Sequence, residues 1–497
     1  MYVRVRESVG GKWRRWFPRS SGEPLLLALT FTAVTRLVVL SRFTRYLLLS
    51  GDEVGYYWPG ADRLLDLFKS DQPLSTTVNL IVGRGWFMPG MSLLLTPVRV
   101  FTDSVALGRL WIGLANFALF AVLVLVLRWR FGKRAAWVFW AIGTFMPTMV
   151  VFSFTFFGEP VAGQMVVLLT LSVFIEAQRR FTSSRVMVWF GVGLGLAILI
   201  YIRPSTIVVA LIIVVTIVLG GLTRESFWPS VKAALWPSII VATTSILLLT
   251  PWVVAVSNDK GGFFLTTTSL ELGQIIGFGD PGDVVAEVEP KANGDPFGVK
   301  NTWYQWDAHI EELATDRGIT YARALNSERV RIMSAVSPRE YFQRSRSHFR
   351  AFLFSSSTFL DQFVGLVRIH PDAPLGAYRS LGDYESLSRV TRASWWLMLA
   401  ATTGFLLWPR RVAAKEAWLY LTVKLIILGT LIQPLVHAAN GRHHVVLLPV
   451  IAVVIAVGLF GIRDDSPSPA SSRSLIFGGQ VVIALVTLTG IVVFALG

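Results

Sequence analysis

The 497-residue chain contains no cysteine. No disulfide, thiolate metal site or thiol nucleophile is therefore open to it. Charge is scarce too. Asp, Glu, Lys and Arg make up 15% of the chain, against about a quarter in soluble domains. Acids are scarcer than bases, 31 against 46, which leaves a formal net charge of +15. With 53% hydrophobic residues and a mean hydropathy of +0.57, this composition excludes disordered, collagenous and ordinary soluble classes. There is no Walker, Rossmann or zinc motif and no internal repeat.

What the chain does have is long apolar runs. Crossing about 30 Å of hydrocarbon takes near 20 residues. Runs of that kind lie near 24–49, 104–128, 134–153, 160–178, 186–202, 204–222, 232–256, 394–409, 416–437, 443–462 and 475–496. The expected fold is an all-α polytopic membrane protein with about 11 transmembrane helices. The first run is too long for a signal-peptide core and no small-residue cleavage site follows it, so it reads as a retained span.

Lys and Arg concentrate in cytoplasmic loops. Arg4, Arg6, Lys12, Arg14, Arg15 and Arg19 precede the first span. Further basic turns hold Arg128, Arg130, Lys133 and Arg134, then Arg179, Arg180 and Arg185, then Arg410, Arg411 and Lys415. All four groups share a side if a single span separates residue 52 from residue 128. The apolar stretch 86–101, with Pro89 and Pro97, is then a juxtamembrane or re-entrant helix. This gives a cytoplasmic N-terminus and an external C-terminus in a cell-membrane protein.

The resulting organisation is a basic cytoplasmic tail (1–23), a seven-span membrane module (24–256), a large external loop (257–393) and a four-span module (394–497). A second external segment runs over 50–103. Residues 257–390 carry 17 acidic and 14 basic residues, over half of the chain's acids. The positive excess therefore follows membrane sidedness and the anionic inner leaflet, and no nucleic-acid partner is expected. Within the loop, 259–300 reads as irregular. Residues 307–334 read as helical with Asp307 as N-cap. Residues 338–354 read as a basic amphipathic helix opened by Pro338.

Ionisable residues gather at the external ends of spans. Asp52 and Glu53 follow the first span, and Glu159 precedes the fourth. Arg203 lies between the fifth and sixth. His437, Asn440, Arg442, His443 and His444 lie between the ninth and tenth, and Arg84 precedes the short apolar helix. Such groups are costly unless they face a polar cavity. Each also has a plainer reading: Asp52–Glu53 as a solvated loop, Glu159 and Arg203 as partners of helix dipoles, the histidines as an interfacial cluster. Arg36 within the first span could snorkel or pair inside a bundle. Chemically, a carboxylate at this face suits a general base acting on a hydroxyl. Arg and His cations suit a phosphate leaving group. No spacing requires a metal, although Asp52, Glu159 and the histidines are ligand types that a divalent cation accepts.

These residues resemble the GT-C superfamily of polyprenyl-phosphate-dependent glycosyltransferases, nearest its protein O-mannosyltransferase and aminoarabinose transferase branch. The resemblance covers most of the chain. It rests on Asp52-Glu53 with Tyr56, Tyr57 and Ala61, on Arg84 to Pro89, and on Arg109. It continues through Gly158-Glu159-Pro160, Arg203-Pro204, Pro338 to Tyr341, and Arg442, His443 and Pro449. It implies a GT-C-like fold with external juxtamembrane helices. The implied reaction is inverting transfer of a mannose- or pentose-type sugar from a polyprenyl-phosphate donor to a lipid, glycan or protein hydroxyl. Asp52 would be the base with Glu53 beside it, and Glu159 would assist. Arg203, Arg442, His443 and Arg84 would hold the donor phosphate, and Tyr56 and Tyr57 would hold sugar or acceptor. The chain departs from the pattern at His443, where an aromatic is usual, and in having only Pro89 after Arg84. No soluble domain is expected after the last span. A transporter or lipid flippase, or a scaffold acting through the large loop, are the competing classes.

Overall fold

In the computed structural model the described residues are 24–43, 53–69, 85–178, 186–222, 227–279, 302–354, 381–409, 414–436, 445–459 and 470–496. Every regular element among them is helical. In chain order they are α1 (Pro24–Phe43), α2 (Trp58–Lys69), α3 (Gly90–Arg99), α4 (Val105–Phe131), α5 (Lys133–Phe145) and α6 (Pro147–Phe152). Next come α7 (Glu159–Gln178), α8 (Val186–Ile202), α9 (Ile207–Leu222) and α10 (Phe227–Lys260). The segment that follows contains α11 (Ser269–Phe278), α12 (Thr302–Asp316), α13 (Tyr321–Ala335) and α14 (Pro338–Phe354). The chain closes with α15 (Leu381–Leu407), α16 (Ala414–Leu431), α17 (Gln433–Val436), α18 (Leu447–Leu459) and α19 (Ala470–Gly490).

Five described helices are long and apolar enough to cross a membrane, and four shorter apolar helices accompany them. The architecture is that of an all-α membrane protein. The expected third span is divided, because Met146 leaves the helical region and Pro147 opens a new helix. Helix α3 has ten residues, about 15 Å of axis, which is half the hydrocarbon thickness.

Helix α7 is the centre of the bundle. It packs against α4, α8, α9, α16 and α18. Its span is 78% buried by protein, against 33% for α1 and for α10. The periphery shows its apolar side chains outward, as at Leu26, Leu27, Ile246 and Leu247, where lipid tails are the natural neighbours. Close approaches inside rest on glycine. A Cβ at Gly90 would lie 2.4 Å from the Tyr201 carbonyl carbon, and one at Gly163 would lie 2.6 Å from the Val446 oxygen.

The large loop holds more helix than its composition suggests. In the stretch read as irregular, α11 buries Leu272, Ile275 and Phe278. Residues 307–334 form two helices, α12 and α13, broken at Gly318 with φ 59°. Asp307 is not an N-cap. Helix α12 begins at Thr302, because Trp306 is also buried on this helix, and Asp307 sits inside it with no exposed surface. Helix α14 does open at Pro338. Ser337 caps it: its hydroxyl accepts from the Glu340 N–H at 3.2 Å and the Glu340 carboxylate accepts from the Ser337 N–H at 3.0 Å, a capping box. This exchange holds the Glu340 carboxyl below its ordinary range.

Candidate active site

The polar residues that converge do so around the start of α7. Glu53 opens a wide turn, Glu53–Tyr57, that leads into α2. Wide π-type turns of this kind recur at functional sites. Its carboxylate is 2% exposed. Arg109, one turn into α4, meets it in bidentate fashion, with Nη1 3.1 Å from Oε1 and Nη2 3.1 Å from Oε2. The Phe156 N–H donates to Oε1 at 2.7 Å, and Arg109 Nη1 also donates to the Phe154 carbonyl at 3.1 Å. Arg109 itself has no exposed surface and its guanidinium lies 5.0 Å from the centre of the Phe156 ring. Three segments distant in sequence are thereby locked together by charge-assisted bonds, the strong class.

Three residues after Phe156, Glu159 opens α7 with no exposed surface. Its Oε1 lies 3.2 Å from Nη1 of Arg203, which follows the end of α8. A carboxylate at a helix start and a guanidinium at a helix end each suit the local dipole. Arg203 is 8% exposed and its Nε has no hydrogen-bond acceptor among the described residues. The two acid–arginine pairs are neighbours through backbone: a Cβ at Gly158 would touch the Ile202 carbonyl oxygen at 2.7 Å and the Met91 side chain at 3.3 Å. Beneath them, Gln164 on α7 donates to the Asn116 oxygen at 3.1 Å, and Asn116 donates to the Ser153 carbonyl at 3.0 Å. This ladder pairs the Asn116 amide and the Gln164 nitrogen inside the bundle and leaves the Gln164 oxygen without a donor among the described residues.

An aromatic wall adjoins the pairs. Tyr56 lies 4.4 Å from Phe87 and 5.8 Å from Trp86 between ring centres, and Tyr57 lies 5.6 Å from Phe87. Ser92 of α3 donates to the Tyr57 carbonyl at 3.1 Å. The wall continues into the large loop. Trp86 Nε1 donates to Asp307 at 3.2 Å, and the Tyr321 hydroxyl donates to the same oxygen at 2.6 Å. Lys260, at the end of α10, sits 4.8 Å over the Tyr321 ring. Gly85, with φ 75°, accepts from the Thr268 N–H at 3.1 Å.

Glu53, Tyr56, Tyr57, Glu159 and Arg203 are thus brought to one region. Asp52, Arg84, His437, Arg442, His443 and His444 lie outside the described residues. The segment after them arrives at the same place, since Val446 and Pro449 at the start of α18 press on Gly163 of α7. Among the described residues no group of three metal-ligand types occurs. Both carboxylates brought together here already face a guanidinium, so each pair is locally neutral. The sequence assigns no role to Asn116 or Gln164, singles out Arg109 only within the resemblance, and offers Asp307 only as an N-cap. The signal for the first three was present: polar groups within apolar helices are functional or structural anchors by default.

No family model matches the chain, and no curated protein and no solved structure matches it.

Proposed function

We propose that the protein is an integral-membrane inverting glycosyltransferase. It moves a mannose- or pentose-type sugar from a polyprenyl-phosphate donor to a hydroxyl acceptor at the outer face of the cell membrane. The observation that carries this reading is the convergence of Glu53–Arg109, Glu159–Arg203 and the Tyr56–Tyr57 turn at one end of apolar helices. An apolar donor carrying a phosphate needs cations at the edge of a hydrocarbon bundle, beside a base.

In this reading Asp52 takes the proton from the acceptor hydroxyl. The acceptor oxygen attacks the anomeric carbon, the bond from that carbon to the phosphate oxygen breaks, and polyprenyl phosphate leaves. Arg203, held by Glu159 through Nη1, would meet the leaving phosphate, with Arg84, Arg442 and His443 as further phosphate contacts. Glu53 does not serve as base, because both its oxygens are engaged. It fixes the turn that follows Asp52 in the sequence. Glu159 orients Arg203, and Tyr56 and Tyr57 stack on sugar or acceptor.

The test is incubation of the purified protein with labelled polyprenyl-phosphate sugars, with and without divalent metal, alongside Asp52→Asn. Turnover of one donor that Asp52→Asn loses while remaining folded supports the reaction and the base together. Folded protein that turns over no donor in the panel sinks the reading and directs attention to transport.

A further inference from the structure

Helix α14 runs along one face of the membrane bundle. Near its start the Tyr341 hydroxyl donates to the Leu435 carbonyl at 2.7 Å, and Leu435 lies in the apolar stretch Trp418–Val436. At its other end the Leu353 carbonyl accepts from Trp395 Nε1 of α15 at 2.6 Å. The two contacts stand at similar heights. Lys424 of α16 donates to the Trp408 carbonyl at 2.9 Å, which gives α15 and α16 a common level. From there Trp395 is about 20 Å along α15 and Leu435 about 17 Å along α16 and α17, at 1.5 Å per residue. Tyr341 and Leu353 are about 18 Å apart along α14 on the same measure. The helix also touches the turn Ile491–Leu496 that follows α19. Lying across the ends of three apolar helices, α14 occupies the boundary where hydrocarbon gives way to headgroups.

The helix carries four arginines and one glutamate, a net charge of +3. Arg344 is engaged inside the protein, where it donates to the carbonyls of Phe278 and Gly279 at the end of α11. Glu340 is engaged in the capping box with Ser337. At 100° per residue the other three, Arg339, Arg346 and Arg350, fall within about 40° of one another and form one stripe along the helix. Arg339 and Arg350 are exposed. Arg346 is half-buried, and its Nε has no acceptor among the described residues. Arg346 and Arg350 stand at i and i+4, a repulsive spacing for like charges that an anion between them relieves. The stripe has two different borders. On one side lie Phe342, 36% exposed, and Phe349. On the other lie Gln343 and Ser347, both exposed. Aromatic edge, guanidinium stripe and polar edge follow in the order of hydrocarbon, headgroup and water, the arrangement of a helix lying in an interface.

We propose that α14 docks on the bilayer surface and that Arg339, Arg346 and Arg350 bind the headgroup phosphates of anionic phospholipids in that leaflet. The guanidinium fork matches phosphate oxygens in geometry as well as charge. The apolar stems of the arginines lie along the bilayer edge while their charged ends reach the headgroups. A soluble acidic partner would meet the stripe, but it has no use for an aromatic border at the level of the span ends. The docking depends on the membrane class of the chain and not on the proposed reaction.

The chain has no cysteine, so Gln343→Cys carries a fluorophore at one place, beside the stripe. The labelled full chain is placed in bilayers of equal phosphatidylcholine and phosphatidylglycerol, in which one lipid or the other bears a quenching nitroxide at the top of its acyl chain. With the arginines intact, quenching should report phosphatidylglycerol enriched over phosphatidylcholine by about fivefold or more, since one favourable surface charge is worth about that factor. Arg339→Gln, Arg346→Gln and Arg350→Gln together should bring the two lipids to equal quenching at an unchanged melting temperature. Equal quenching by both lipids with the arginines intact overturns the proposal. So does an absence of quenching by either, which puts this face in water. Both readings are made on the intact stripe, so they stand whether or not the triple variant folds. A preference that survives in a folded triple variant overturns the assignment as well.

Discussion

Exchanging Arg109 for Met removes the guanidinium and keeps an apolar side chain of similar reach. Glu53 then loses both guanidinium bonds and keeps the Phe156 N–H, at a site 2% exposed. Breaking a buried ion pair from one side costs about 3–5 kcal/mol, because the surviving charge stays out of water. The mirror substitution, Glu53→Gln, removes the countercharge of the fully buried Arg109 and should cost a similar amount. The double variant removes both charges, and replacing a buried pair together is often nearly neutral. With a nearly neutral double variant the coupling is therefore about 6–10 kcal/mol, beyond the roughly 0.5–3 kcal/mol usual for residues in contact. The assay is a double-mutant cycle of reversible unfolding in detergent micelles, followed by tryptophan fluorescence. Four proteins are compared under one condition, so errors of extrapolation cancel. If the single effects add to within about 0.5 kcal/mol, Glu53 and Arg109 act independently and the lock between the turn, α4 and the Phe154–Phe156 segment does not exist.

Other outcomes follow from the same geometry. Asp307→Ala leaves the Trp86 N–H and the Tyr321 hydroxyl without their shared acceptor, at about 1–3 kcal/mol for each buried group, whereas Asp307→Asn keeps an oxygen in place and should cost clearly less in the same unfolding assay. Glu271 on α11 is raised above the ordinary carboxylate range by burial, against a smaller pull downward from its own N–H and from Arg329. Its folded form therefore holds the proton longer than its unfolded form, so its contribution falls as pH rises from the unfolded value through the folded one; Glu271→Gln should raise the melting temperature at neutral pH and flatten its decline above pH 4.5. Gly90→Ala places a methyl 2.4 Å from the Tyr201 backbone, which no rotamer relieves, and should give protein that aggregates on extraction or loses the sharp elution peak of the wild type.

Membrane class is readable from runs of about 20 apolar residues, because a bilayer imposes length and composition on each helix separately. Partnerships are not readable, because they join segments far apart. Arg109 stands out as a charge within an apolar run, yet nothing local says that its partner is 56 residues upstream. The same holds for Asp307 and Trp86, 221 residues apart. Asp307 misleads for a local reason. An acid before an apolar repeat looks like a cap, but Thr302 starts the helix earlier and Trp306 is buried just before it. Helix α11 is hidden by the Gly, Pro and Asp around it, although Leu272, Ile275 and Phe278 recur at the helical spacing and all three are buried. Glu159 and Arg203 stand out one by one. Their pairing needs Gly158 and its close contact with Ile202, a tertiary approach that no spacing encodes.

Helix α10 is 34 residues long, about 51 Å at 1.5 Å per residue, while the hydrocarbon core is near 30 Å. It cannot lie wholly inside the bilayer, and its far end carries Lys260 against Tyr321 and donates from Trp252 Nε1 to the Thr266 carbonyl. Pro237 and Pro251 each remove one backbone donor along it. A helix of excess length meets a change of bilayer thickness by changing its tilt. At its Lys260 end any such tilt would be a lateral displacement beside Tyr321, which shares the Asp307 carboxylate with Trp86.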